Sequence, residues 1–510
     1  MRHGLKNLKV LEIAGCLTQV VFQPEGFEFD GGEGEHFLSF PSLETLRFSA
    51  LPELECIWKG PSQFINLQNL SILSVKNCPK LRRIFSTTLA RHLSKLKVLS
   101  ISSCSALEQI IVQDDEEEEQ HQQAACFSNL LEITIFGCDN LKGLFHVNVA
   151  RDLQQLKKLS IYRCEKLEQI IFQDDEEEKQ HQQAACFSNL LEITIYFCHN
   201  LKSLFHVNVA RDLQQLKKLY IESCGKLEQI IFQDDEEEEQ HQQAACFSNL
   251  LEITIFGCGN LKGLFHVNVA RDLQQLKKLY IAYCEKLEQI IFQDDEEEEQ
   301  HQQAACFSNL LEISISDCDN LKSFFHVNVA RNLQQLKKLR ISFCEKLEQI
   351  IFQDDEEEEQ HQQAACFSNL LEIYVFGCDN LKSLFHVNVA RNLQQLKELD
   401  IAGCEKLEQI FVGDNAVEEC KEIVLPGVQR LNLRNLPKLV HLCPVGCHLI
   451  LPSLTHLRVT ICPRIAARFS VDQNGSVHVK SEARQLGDET NFAMEIDCSS
   501  TDQIRQLTSR

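Results

Sequence analysis

The sequence predicts an α/β solenoid: stacked coils in a horseshoe, with a parallel sheet on the concave face and short helices, turns and acidic loops on the convex side. Three observations predict it. The segment from Gln120 to Ile170 recurs from Gln180, Gln240, Gln300 and Gln360, an unbroken period of 60 residues. Each copy carries one apolar template twice, Phe127-x-x-Leu130-x-x-Ile133-x-Ile135-x-x-Cys138-x-x-Leu141 and then Leu153-x-x-Leu156-x-x-Leu159-x-Ile161-x-x-Cys164-x-x-Leu167, in units that alternate 26 and 34 residues. The template also continues into diverged sequence, from Leu5, Leu8, Leu11, Ile13 and Cys16 at one end to Leu451, Leu454, Leu457, Val459 and Cys462 at the other, for sixteen units.

Each element follows from that template. The apolar-x-apolar alternation reads as a short strand with one buried face, and the flanking apolar residues at spacing three fit a chain that must turn. One coil cannot bury its own apolar edge, so coils stack and their strands pair in parallel. Between the half-units, Asn148 followed by Val149, Ala150, Leu153 and Leu156 is suited to start and sustain a helical turn. The pattern resembles leucine-rich repeats, whose signature is L-x-x-L-x-L-x-x-N/C-x-L, with the longer units carrying an inserted loop. The array is assigned to residues 1–465, and 466–510 to a polar C-terminal tail for which disorder is an open reading.

Composition narrows the function. The chain has 510 residues, 50 Lys plus Arg against 74 Asp plus Glu, and a formal charge of −24. The tracts at Asp114–Glu119, Asp174–Lys179, Asp234–Glu239, Asp294–Glu299 and Asp354–Glu359 carry −28 between them, leaving the rest near neutral at +4. No basic cluster suited to counterion release on nucleic acid is present, and no apolar run is long enough to span a bilayer. The acidic tracts sit in the loops of the long half-units and lack the alternating ligands and turn glycine of a calcium loop. They read as a solvated face, with docking of a basic partner as the other reading.

The 24 cysteines do not form a disulfide framework of the small secreted kind. Cys138, Cys164 and their equivalents, from Cys16 to Cys462, hold one template position, where a compact, weakly polar side chain bonds the backbone leaving the strand. His146 and its copies are scaffold or loop residues, since an active site has no reason to recur five times in register. His441, Cys443, Cys447 and His448 fall within eight residues and invite comparison with a zinc loop, but the Cys spacing favours an ordinary connection. No catalytic elbow, zinc-protease motif or nucleotide-binding glycine pattern is present. The sequence therefore reads as a recognition module, not an enzyme, with no catalytic residue, metal or cofactor assigned.

Comparison of the copies locates the candidate surface. Of 51 positions from Gln120 to Ile170, thirteen vary, and seven of those are outward strand positions or their neighbours. All six tyrosines of the protein fall there. The candidate partner-binding residues are Tyr162, Arg163, Tyr196, Phe197, Tyr220, Glu222, Phe256, Tyr280, Tyr283, Arg340, Phe343, Tyr374 and Phe376. Tyr and Arg are enriched at the energetic centres of interfaces, and lateral packing across strands is the competing reading.

The wording of the diverged units goes further. Phe40-Pro41-Ser42-Leu43-Glu44-Thr45-Leu46 followed by Leu51-Pro52-Glu53-Leu54 and Ile57-Trp58, together with Leu99-Ser100-Ile101-Ser102-Ser103-Cys104 and Leu107-Glu108-Gln109-Ile110, resembles the repeat domain of plant intracellular nucleotide-binding leucine-rich-repeat disease-resistance proteins of the coiled-coil class. The resemblance implies a role in plant innate immunity: binding a pathogen effector, a guarded host protein or a nucleotide-binding receptor domain, in the cytoplasm with the nucleus as a second compartment. The nucleotide switch domain of that family is absent from this sequence, which starts inside a repeat at Leu5 without a polar cap; a fragment of a longer receptor, a truncated gene product or a partner acting in trans is expected on that ground, with a non-functional receptor fragment as an alternative. The rival reading is a substrate-recruiting adaptor of a ubiquitin ligase. No nucleic-acid partner and no membrane insertion are expected.

Overall fold

The computed structural model describes residues 6–23, 38–59, 65–112, 125–172, 185–232, 245–292, 306–352, 366–413, 422–481 and the backbone of 494–497. Two compact units divide the chain, Met1–Leu250 and Leu251–Arg510. In each, the apolar-x-apolar segments become five-residue strands that pair in parallel and in register. Those of the first unit are Val10–Ala14, Thr45–Ser49, Ile72–Lys76, Val98–Ser102, Glu132–Phe136, Lys158–Tyr162, Glu192–Tyr196 and Lys218–Glu222. Those of the second are Glu252–Phe256, Lys278–Ala282, Glu312–Ser316, Lys338–Ser342, Glu372–Phe376, Glu398–Ala402, Arg430–Arg434 and His456–Thr460.

Period-two alternation sets the core. Ile133 and Ile135 are fully buried while Glu132, Thr134 and Phe136 of the same strand are not. Beyond the strand, Leu141, Leu144 and Phe145 turn inward, and a second short strand, Gly143–His146, pairs in parallel with Gln169–Phe172 of the next coil. The helix Val147–Asp152 follows and returns the chain through buried Leu153 and Leu156. This is the leucine-rich-repeat solenoid architecture.

The predicted helix forms, but its start is not Asn148. His146 is the N-cap: its Nδ1 accepts the backbone N–H of Asn148 at 3.3 Å, while Asn148 lies in the first turn and accepts from Arg151 Nη1. A cap needs an acceptor side chain on an extended residue, and His146 has φ −64 and ψ 148. The same cap recurs at His206, His266, His326 and His386. The histidine ladder is thus part of the coil.

Regular structure continues past residue 465. Ala467–Val471 and Val477–Ser481 form an antiparallel hairpin that pairs with His448–Leu451, and Met494–Asp497 pairs antiparallel with His456–Thr460. Alternating buried residues such as Val477, Val479 and Ser481 sustain the hairpin in a segment whose composition is polar. Among the described residues, no helix is long and apolar enough to cross a membrane.

Candidate functional site

The repeated template leaves three outward columns on each ladder: the first, third and fifth strand residues. The first column is electrostatic. Glu132 faces Lys158, Lys158 faces Glu192, and Glu192 faces Lys218; Lys158 Nζ lies 3.5 Å from Glu192 Oε1. The second unit repeats the alternation from Glu252 to Glu372. Opposite charges on directly paired residues support the register. Where Glu398 replaces Lys and faces Glu372, arginines take over: Arg340 Nη2 lies 3.7 Å from Glu372 and Arg430 Nη1 3.6 Å from Glu398.

The third and fifth columns carry the rings. In the first unit Tyr162 and Tyr196 stack at 5.3 Å between centroids, Tyr196 and Tyr220 at 4.9 Å, and Phe136 joins the row at 6.4 Å from Tyr162. Tyr220 donates its hydroxyl hydrogen bond to Glu222 Oε2 at 2.8 Å. Burial, followed by that carboxylate, pushes the Tyr220 phenol well above the usual tyrosine range. In the second unit Phe256 meets Tyr283 at 4.8 Å and Phe343 meets Phe376 at 4.9 Å edge-on. Arg340 donates to Glu312 at 3.1 Å and lies 5.3 Å over the Tyr374 ring. The Tyr280 and Tyr374 phenols are both pushed up to about 12, first by burial and then by hydrogen bonding to Glu312 and Glu398 respectively. All thirteen candidate residues therefore lie on the outward side of the ladders, where many pack laterally and also remain partly exposed.

A fourth column, which the spacing pattern does not separate from the others, follows each strand. The residue after the fifth strand position is left-handed in every coil: φ is 61° at Gly137, 52° at Arg163, 55° at Phe197, 54° at Ser223, 66° at Gly257, 55° at Tyr283, 52° at Asp317, 52° at Phe343 and 63° at Gly377. Its N–H continues the ladder, as when Tyr283 donates to Ser316 O at 3.1 Å. Glycine and asparagine tolerate this conformation, whereas Arg, Phe, Tyr and Ile hold it at a cost of about 1–3 kcal/mol. Tyr283 is 50% exposed and Phe343 47%, so burial of these rings offsets only part of that cost. The sequence carries a signal for this column: Gly recurs at this position in alternate copies beside Arg, Tyr and Phe. The column also brings in Asp317, which is not among the thirteen candidates.

Behind the ladders the chemistry is structural. Cys138 Sγ donates to Phe136 O and Cys164 Sγ to Tyr162 O, at 3.8 and 3.6 Å. Burial pushes the Cys138 and Cys344 thiols up to about 12. Cys16 alone of this ladder is exposed, just beyond the first strand. In the histidine–cysteine loop, Cys443 donates to Cys447 O at 3.2 Å and lies 3.5 Å from Ser481 Oγ. Among the described residues no three His, Cys, Asp or Glu side chains are grouped to hold a metal ion. The five acidic tracts lie outside the described residues.

The family described as plant disease resistance protein RPS2-like, leucine-rich repeats, matches residues 1–105, 117–165, 177–225, 236–285, 286–345 and 346–477. The chain belongs to that family. Among relatives of these RPS2-like repeats, a probable disease resistance protein of Arabidopsis thaliana, At4g27220, is 27% identical over 212 residues, which cover 40% of this chain and 18% of that protein. The chain therefore matches under a fifth of that relative's length. Solved structures similar to the RPS2-like repeats include an internalin of Listeria monocytogenes, at 15% identity and TM-score 0.34 over 69% of this chain and 82% of that one. A leucine-rich-repeat protein of Leptospira interrogans is similar at 16% identity and TM-score 0.31, over 74% and 88%.

Proposed function

We propose that these RPS2-like repeats are a protein-recognition module of plant innate immunity, acting inside the cell. The partner is a pathogen effector, a guarded host protein or a nucleotide-binding receptor domain, bound across the outward face of the ladder strands. One observation carries the reading. Five copies that are otherwise near-identical differ chiefly at outward ladder positions, as in the series Ser160, Tyr220, Tyr280, Arg340, Asp400. Loops under no constraint drift first; here the drift is concentrated on the surface that carries the rings. Large, rigid aromatic side chains with Arg beside them supply contact area at low entropic cost.

The test replaces Tyr220, Tyr280 and Tyr283 together with alanine and compares capture from plant tissue with that of the native chain and of an off-ladder control, Lys202→Ala. The triple variant is expected to lose a protein that both others retain, while its circular-dichroism melt stays cooperative. Equal capture by all three rejects the ladder face as the binding surface.

A further inference from the structure

We propose that the second unit carries a slot for a basic side chain of the protein partner, with Asp317 as its floor and Tyr283 and Phe343 as its walls. The proposal rests on the recognition reading above and specifies the chemistry of one anchor.

Tyr283, Asp317 and Phe343 hold the left-handed position of three successive coils, as their backbone bonds show: Tyr283 N donates to Ser316 O, Asp317 N to Ser342 O and Phe343 N to Phe376 O. Adjacent strands lie about 4.8 Å apart, so the outer two backbones are roughly 10 Å apart. Their rings lean away from the middle coil. Tyr283 rests on Phe256, on the preceding strand, and Phe343 on Phe376, on the following one. Gly377 makes room for the second of these, because a Cβ there would stand 2.8 Å from Phe343 Cδ1. The residues between the walls are small: Ala282, Ser316 and Ser342. A gap of this width with aromatic sides suits the aliphatic stem and cationic head of Lys or Arg.

Charge selects the occupant. Asp317 is half-buried, and among the described residues its carboxylate takes part in no hydrogen bond or ion pair. Arg340, on the next strand of the ladder, is committed to Glu312, Glu372 and the Tyr374 face. Beyond the floor, Glu285, Asp319 and Glu345 occupy one template position in the same three coils, and the lysines that follow two of them, Lys286 and Lys346, are bonded to Asn260 and Asn320. The first unit shows that this column seats a cation between rings: Arg163 lies 5.9 Å from the Phe136 centroid and 5.5 Å from that of Phe197. There the chain supplies its own guanidinium. In the second unit the same column offers a carboxylate, and the complementary cation must come from the partner.

A phage-displayed library of short linear peptides, panned on the full chain, provides the probe. Native protein is expected to enrich peptides with Lys or Arg beside an apolar residue, and Asp317→Lys to enrich acidic ones instead. Asp317→Asn should weaken a selected basic peptide about tenfold, the order of one lost charge-assisted contact. This variant keeps the backbone, since Asn77 and Asn435 already sit left-handed at the equivalent position. Tyr283→Ser with Phe343→Ser should abolish the basic preference. Peptides that bind the native chain, depend on Tyr220 and carry no basic residue would overturn the slot and leave the ladder-face reading standing. Equal enrichment of basic peptides on the native and Asp317→Lys proteins would likewise overturn the slot alone, and selected peptides that depend on no ladder residue would overturn both.

Discussion

The two units place aromatic side chains on the same template positions and reach different outcomes. In the first, Phe136, Tyr162, Tyr196 and Tyr220 form one continuous row, and Arg163 fills the space between Phe136 and Phe197. In the second, two ring pairs form, Phe256 with Tyr283 and Phe343 with Phe376, in coils on either side of Asp317, while Tyr374 lies under Arg340. The buried columns hardly differ: Ile133, Ile161, Ile193 and Ile221 in one unit match Ile253, Ile281, Ile313 and Ile341 in the other. Core packing and outward chemistry are therefore written on alternate residues of each five-residue strand. A duplicated coil can change the sign and shape of its outward face while leaving its stacking intact.

The largest expected difference between the units lies at glycine. Gly137 and Gly377 share the left-handed position, with φ 61° and 63°. A Cβ at Gly137 would meet nothing closer than 3.9 Å, whereas one at Gly377 would strike the Phe343 ring. Gly137→Ala should cost about 1 kcal/mol from strain alone. Gly377→Ala should cost about 2 kcal/mol, because the ring pair of Phe343 and Phe376 is displaced as well. Denaturant midpoints of the two variants measure the difference. Equal shifts would show that Phe343 does not need its glycine seat, and the pairing in the second unit would lose its explanation.

Arg163→Ala tests the first unit's self-filled arrangement. The guanidinium contacts two rings at a partly exposed site, and each such contact is worth about 0.5–1 kcal/mol, so a loss of about 1 kcal/mol is expected. The same change at Arg340 removes ion pairs with Glu312 and Glu372 as well as the Tyr374 contact. These pairs are part-buried on the glutamate side, so Arg340→Ala should cost somewhat more than Arg163→Ala, by about 0.5–1 kcal/mol, read again from the denaturant midpoint. A neutral Arg163→Ala would mean that the guanidinium only rests between the rings, and the analogy between the two columns would fail.

How much of the fold and of the candidate surface is legible in the sequence follows from how local each signal is. Strand positions and buried columns are dictated by spacing two and three, and spacing alone places Ile133, Leu141 and Leu153 in the core. Outward residues follow by elimination, which is how Tyr162, Tyr196 and Tyr374 are reached. The cap is misplaced by two residues because histidine is an unusual N-cap and Asn148 is the stronger local signal. The hairpin from Ala467 to Ser481 escapes the template because its apolar residues alternate without the repeat's spacing. The left-handed column escapes because Phe197, Tyr283 and Phe343 resemble ordinary outward residues when each is read alone. Only their alternation with Gly137, Gly257 and Gly377 marks the backbone they must adopt. The pairing of rings depends on which way each leans, which no spacing rule encodes.

The smallest effect concerns the cost of holding a side chain in that column. Ile461 follows the strand His456–Thr460 with φ 56°, and its side chain is 67% exposed. A β-branched residue is the least suited to this conformation, and so little burial cannot offset the strain. Ile461→Asn should therefore stabilise the protein, by about 1 kcal/mol at most. The backbone role is kept, because Asn435 holds the same position one coil earlier at φ 50° and the bond from Leu436 N to Ile461 O involves only main chain. A rise in melting temperature together with weaker capture of the partner would show strain retained for an outward side chain, the arrangement inferred for Tyr283 and Phe343. A fall in melting temperature would show instead that Ile461 packs against the coil. In that case the left-handed residues belong to the scaffold, and the contrast between the units would rest on their rings alone.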